Sequence, residues 1–185
     1  MQLRNSVIKS YLQERALKKA ISRVNRDRQF VSFSKATQIG LVCTVDSEKD
    51  WKTTLEFAKT LQTQGAKVWI LGVFYGNLKP LWVVETIAHS LCSETEMNFY
   101  GLPGGVVVHD FIARPLDMLI DISSAPNFQC RYISALSQAR FKVGESHPLN
   151  MAYYDYLLQI KSELSFEERL RQIVHYINLI HTNHE

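Results

Sequence analysis

Two acids followed by hydroxyls hold the positions from which this chain could do chemistry. Asp121, with Ser123 and Ser124, closes one apolar run, and Asp46, with Ser47, closes another. Carboxylates that face one crevice can act as a general acid and base or hold a cation. A helix beginning after Ser123 and Ser124 could take a phosphate on its free amides. Asp46, Asp121 and Ser123 are therefore the candidate catalytic residues, and Ser47, Ser124, Gly144, Glu145 and His147 the candidate ligand contacts, with Tyr75 and Gly76 in a comparable place. The plain alternative is that a single Asp ending a strand caps a helix or forms a turn. Residues 44–50 contain no Gly, which argues against the usual dinucleotide and P-loop sites. None of the six His stands at ligand spacing with Cys or acids, so neither a metal site nor a cofactor is expected, and His175, His181 and His184 read as solvated.

Such residues need elements to position them. Leu116, Met118, Leu119, Ile120 and Ile122 form a nearly continuous apolar run, the pattern of a strand covered on both faces in a parallel sheet. Ser123 and Ser124 can accept from amides at a helix start, and Pro126 tolerates a first turn. The spacing of Phe128, Tyr132, Ile133, Leu136 and Ala139 predicts that helix, and residues 140–143 predict the next strand. Strands are likewise expected at 39–45, 67–73 and 153–160. A helix at 47–64 starts on Ser47 with Asp50 at box spacing and closes on Gly65. Residues 81–91 are read as a helix, 97–100 as a short strand, and 106–113 as a helix stopped by Pro115, although strands also suit 82–84 and the valines at 106–108. The last helix begins at Ser165 with Glu168 as its box partner and buries an apolar face from Phe166 to Ile180, after which 181–185 should fray.

Residues 4–28 lack Gly and Pro and predict one long helix. Its apolar groups, Val7, Ile8, Tyr11 and Leu12, then Leu17, Ile21 and Val24, do not share a stripe at about 100° per residue. Either the helix bends near 13–15 or its halves dock on different surfaces. Residues 1–28 carry eight Lys or Arg against two acids, a balance of +6, while the remainder carries 13 against 16, or −3, giving the net +3. The cations Arg4, Lys9, Arg15, Lys18, Lys19, Arg23, Arg26 and Arg28 could meet nucleic acid or anionic lipid. The reading preferred is a solvated face on a helix packed on its own domain, a second copy or a protein partner.

The organisation expected is a basic helical arm at 1–34 and one α/β domain at 35–185. That domain is a single three-layer, doubly wound, Rossmann-like sheet of five or six mostly parallel strands. With 46% hydrophobic and 21% charged residues, and no apolar run near the roughly 20 that cross a bilayer, no membrane span is expected. The charged N-terminus lacks a secretion signal, which points to the cytoplasm. Cys43, Cys92 and Cys130, odd in number and in apolar settings, read as reduced core thiols.

The segments at 38–41, 97–103, 117–122 and 133–144, with the basic start, resemble a family of small uncharacterised bacterial proteins designated only as a domain of unknown function. That resemblance implies a bacterial, cytoplasmic protein and carries no activity to transfer. Ile120-Asp121 and residues 139–144 are also similar to the acceptor-side domain of heptosyltransferase-like glycosyltransferases, enzymes that carry a second, nucleotide-sugar domain for which 185 residues leave no room. The leading functional reading is a non-catalytic binding or interaction protein. The alternative is an enzyme related to sugar- or nucleotide-handling folds, with its site at the strand carboxyl ends.

Overall fold

The computed structural model of the chain describes residues 2–123, 126–161 and 163–179, with side chains from residue 7 onward. Of the positions named above, Ser124, Ile180 and the tail with His181 and His184 lie outside the described residues, as does the Arg4 side chain. Six parallel strands form one sheet: β1 (Gln38–Thr44), β2 (Lys67–Val73), β3 (His89–Cys92), β4 (Met118–Asp121), β5 (Phe141–Glu145) and β6 (Tyr156–Leu158). Their order, β3-β2-β1-β4-β5-β6, reverses direction between β1 and β4, where open α/β sheets form a crevice at the carboxyl ends. The helices are α1 (Gln2–Ile21), α2 (Glu48–Thr63), α3 (Gly105–Ala113), α4 (Phe128–Leu136) and α5 (Phe166–Leu179).

The apolar runs sort onto two faces because side chains alternate along a strand. Ile39, Leu41, Cys43, Met118, Ile120 and Val143 pack under α2 and α5 with Trp51, Leu61, Leu170 and Ile173. Val42, Leu71, Leu119 and Cys92 pack under α3 and α4 with Phe111, Cys130 and Ile133. Strands buried on both sides need apolar residues at every position, which is why these runs show so little alternation. Cys43, Cys92 and Cys130 are buried and unbridged, and burial pushes the first two thiols up to about 12.

The helix boundaries follow local chemistry. Ser47 caps α2 by accepting from the Asp50 amide at 3.1 Å, and Gly65 leaves that helix at φ 94°, a conformation glycine adopts without strain. The Ser165 hydroxyl accepts from the Glu168 amide at 3.4 Å while the Glu168 carboxylate takes the Ser165 amide at 2.8 Å, the reciprocal box expected for α5. The start of α4 departs from expectation. Its cap is Asn127, which accepts from the Cys130 amide at 3.0 Å, while Ser123 turns its hydroxyl back onto Asp121.

Four further expectations are corrected. Residues 81–91 form no helix: Thr86 accepts from the Ala88 and His89 amides at 3.2 and 3.1 Å, turning the chain into β3, which extends the sheet beside β2. The β-branched run from Val83 to Ile87 disfavours a helix there, and tertiary pairing decides for a strand. At 97–100 there is no strand but a 3-10 turn at Glu94–Glu96 followed by an isolated antiparallel bridge of Met97 to Pro103. The basic helix ends at Ile21, and residues 24–32 run as a strap in which Arg26 reaches both Asp155 oxygens at 2.6 Å and the Ala139 carbonyl at 3.0 Å. The expected 153–160 strand shrinks to Tyr156–Leu158, because Tyr153 and Tyr154 leave the sheet to pack on α1 and α4.

Helix α1 stays continuous through 13–15. Leu17 is fully buried against Ala135, Tyr153 and Tyr154, Gln13 donates to the Tyr100 carbonyl at 2.8 Å, and Glu14 pairs with Arg131. Val7, Ile8 and Tyr11, by contrast, face solvent. Docking onto the body is thus carried by the second half of the helix, and Val7, Ile8 and Tyr11 lie away from it.

Lys142 is buried on β5 with its ammonium on the Ala135 carbonyl at 2.8 Å, where α4 ends. Burial, and then the nearby Arg26, lower its pKa to about 7 against the opposing pull of Asp155. A lysine whose folded-state pKa lies below its unfolded 10.5 binds fewer protons when folded, so its burial costs stability below about pH 7, and that cost is relieved as pH rises toward 10.5. Lys142→Met should therefore exceed the wild type at and below neutral pH by on the order of a few kcal/mol, with the difference shrinking toward alkaline pH. Urea midpoints of both proteins across that window check this, and a constant difference would contradict it.

Candidate functional site

Beyond the carboxyl ends of β1 and β4, the sequence candidates are brought to one edge of the sheet in unequal ways. Asp121 is the last residue of β4, opposite Val42 of β1, with its side chain on the α4 face. Its Oδ1 accepts from the Ser123 amide at 3.0 Å and the Ser123 hydroxyl at 2.6 Å, and its Oδ2 accepts from the Tyr154 hydroxyl at 2.5 Å. Burial raises the Asp121 pKa, and the Ser123 and Tyr154 hydrogen bonds oppose that rise. Burial also lifts the Tyr154 phenol, with the Asp121 charge adding to it, so the phenol remains the donor. Gly144 makes this contact possible: a Cβ there would lie 2.6 Å from the Tyr154 ring.

Asp46 stands apart. It is exposed, just past β1, and accepts from Thr44 at 3.3 Å, with no hydrogen bond to Asp121. Ser47 is occupied as the α2 cap. Glu145, at the end of β5, points to the opposite face and pairs with Arg169 of α5 at 2.6 Å, while Arg169 also donates to the Ser123 carbonyl at 3.3 Å. Arg169 is 5% exposed, and its Nε has no hydrogen-bond partner among the described residues. His147 accepts from the Leu149 amide at 3.2 Å within the turn after β5, and Asn150 braces that turn through the Glu145 carbonyl at 2.8 Å.

A second network lies past β2. The Tyr75 hydroxyl donates to Gln129 at 2.7 Å and accepts from Asn127 at 2.5 Å, and Gln129 donates to the Gly101 carbonyl at 3.0 Å. Gly76 follows beside the Phe74 ring. Of these groups, Tyr154, Arg169, Asn127 and Gln129 carried no sequence signal, since each lies on an element other than the strand it serves. Among the described residues, no group of three or more His, Cys, Asp or Glu is placed to hold a metal ion, and no helix is long and apolar enough to cross a membrane.

The arrangement resembles solved glycosyltransferase structures in fold. E. coli heptosyltransferase WaaC with ADP shares a TM-score of 0.50 at 16% identity, over 75% of this chain and 46% of that one. A glycosyl transferase family 9 protein from Veillonella parvula gives a TM-score of 0.46 at 15% identity, over 74% of this chain and 41% of that one. The chain thus spans a little under half the length of these proteins. No curated protein matches the chain by sequence. Residues 9–180 match a family of unknown function, DUF6913.

Proposed function

We propose that this chain, which belongs to the family of unknown function DUF6913, is a non-catalytic binding protein whose Rossmann-like sheet presents a ligand edge at the carboxyl ends of β1 and β4. The observation that carries this reading is that the carboxylates ending β4 and β5 are committed to neighbouring side chains, while the exposed Asp46 stands apart from both. Both Asp121 oxygens are engaged by Ser123 and Tyr154, and Glu145 is neutralised by Arg169. A general base needs an oxygen free to meet a substrate proton within hydrogen-bond reach. Here that capacity is spent on holding the β4–α4 turn against the Tyr154 loop.

The alternative is an enzyme, a glycosyltransferase-like half-domain using Asp121, Ser123 and Asp46. It is supported by the fold likeness to a heptosyltransferase solved with ADP. One experiment separates the two: thermal shift of the purified chain against ADP, nucleotide sugars, phosphosugars and divalent metals, with each stabilising compound then followed for turnover. Binding predicts a raised melting temperature with the compound recovered intact, and Asp121→Asn retains the shift if it folds. Cleavage of a nucleotide sugar that is lost in Asp121→Asn at unchanged melting would establish the enzyme instead.

A further inference from the structure

On the far side of α1 from its buried residues, Val7, Ile8 and Tyr11 are 66%, 50% and 65% exposed, and beside them the 98–101 turn projects Phe99 at 93% and Tyr100 at 45%. Between helix and turn lies a groove of about 490 Å³ lined by Ile8, Lys9, Leu12, Phe99 and Tyr100. Large apolar side chains left in water this close together mark a surface that meets something apolar. The same outward face continues into cations. At about 100° per residue, Arg15, Lys18 and Lys19 fall within the roughly 140° sector that runs from Val7 through Tyr11 and Ile8 to Leu12. All three are exposed, as is Lys9. The single acid of α1, Glu14, is tied to Arg131 and offers no counter-charge.

We propose that this face docks on an anionic lipid bilayer, with Val7, Ile8, Tyr11 and Phe99 entering the boundary between headgroups and acyl chains and Lys9, Arg15, Lys18 and Lys19 meeting lipid phosphates. The two halves of the face select this occupant together. A second copy of the chain across a two-fold axis would gather the cations of both copies into one seam in which α1 offers no free acid to balance them. Nucleic acid would satisfy the cations and leave Val7 and Ile8 without an apolar environment, whereas a bilayer surface supplies both within one plane. The Tyr11 ring suits that depth, since it joins an apolar ring to a polar hydroxyl, and Phe99 adds apolar area beside it. This inference goes beyond the ligand-binding reading and uses no residue of the Asp121 cluster, so either can fail alone.

The test is flotation of the full chain with vesicles of phosphatidylcholine alone and of an equal mixture of phosphatidylcholine and phosphatidylglycerol, at low and high salt. The expected result is flotation with the mixed vesicles only, weakened by salt. It should fall about tenfold or more in Tyr11→Ser/Phe99→Ser and comparably in Lys18→Glu/Lys19→Glu. These positions are exposed, so the variants should melt as the wild type does, and a melting scan confirms that a loss of binding is not a loss of fold. No flotation with either vesicle overturns the proposal, as does equal flotation with both. It is also overturned by a dimer in sedimentation that Tyr11→Ser/Phe99→Ser dissociates, or by salt-sensitive binding to single- or double-stranded nucleic acid without vesicle binding.

Discussion

Asp155→Ala is expected to cost about 3–5 kcal/mol in urea denaturation, a large part of the roughly 5–15 kcal/mol that holds a domain of this size folded. Asp155 sits at the amino edge of the sheet, where its carboxylate takes both Arg26 nitrogens at 2.6 Å and the Lys142 amide at 2.8 Å. The Arg26 and Asp155 side chains are only 5% and 15% exposed. Removing the acid would leave a buried guanidinium without a counter-charge and a strand amide without a partner, and would loosen the strap at residues 24–32 from β5 and β6. Burial alone would raise the Asp155 pKa, but the Arg26 hydrogen bonds and the Lys142 amide outweigh it and hold the carboxyl below its ordinary 3.8. The sign follows. A carboxyl depressed on folding contributes stability that is fully present above its unfolded pKa and is lost as pH falls through the folded one. The acid limb of the wild-type stability curve should therefore be steeper than that of Asp155→Asn, and equal slopes would show that the pair contributes no net stabilisation.

Leu17→Ala should cost about 2–5 kcal/mol, because the side chain is fully buried between Ala135, Tyr153 and Tyr154 and the cavity it leaves is walled by two large rings. Ile8→Ala, on an exposed side chain of the same helix, should fall within about 0.5 kcal/mol of the wild type. Thermal melts of the two variants decide which half of α1 holds it to the body. Comparable losses at both positions would mean that Ile8 is covered in solution, either by the body or by a second copy. Because Tyr154 also donates to Asp121, loosening of the Leu17 seat should reach the carboxyl-end cluster, and hydrogen exchange at the Ser123 amide would report it.

Asp117 and Asp155 share a sequence pattern, an acid ahead of apolar residues, and both prove to bond backbone amides at the amino edge of the sheet: Asp117 accepts from the Thr37 and Gln38 amides at 2.9 and 3.0 Å. Asp121 shares the residue type and lies at the other edge. A sequence shows that an acid ends or begins a strand, and the direction of the strand then assigns it to the ligand edge or to the capping edge. Which groups meet that acid is set by elements far along the chain. Tyr154 lies 33 residues from Asp121, and Arg169 lies 24 from Glu145.

The sequence by itself determined the parallel α/β class, because strands covered on both faces demand unbroken apolar runs, and it determined the ends of α2 and α5, because caps depend on residues within one turn of each other. The strand order, the strand at His89–Cys92 in place of a helix, and the end of α1 at Ile21 were decided only by tertiary structure. The last two depend on partners with no local trace: the edge of β2 along which β3 pairs, and the Asp155 carboxylate and Ala139 carbonyl that hold Arg26 in the strap. The sequence marked Asp121 and Ser123 as polar residues at a strand end. Only the folded chain decided that they face each other and Tyr154, because hydrogen bonds between distant elements exist only once the sheet has set those elements side by side.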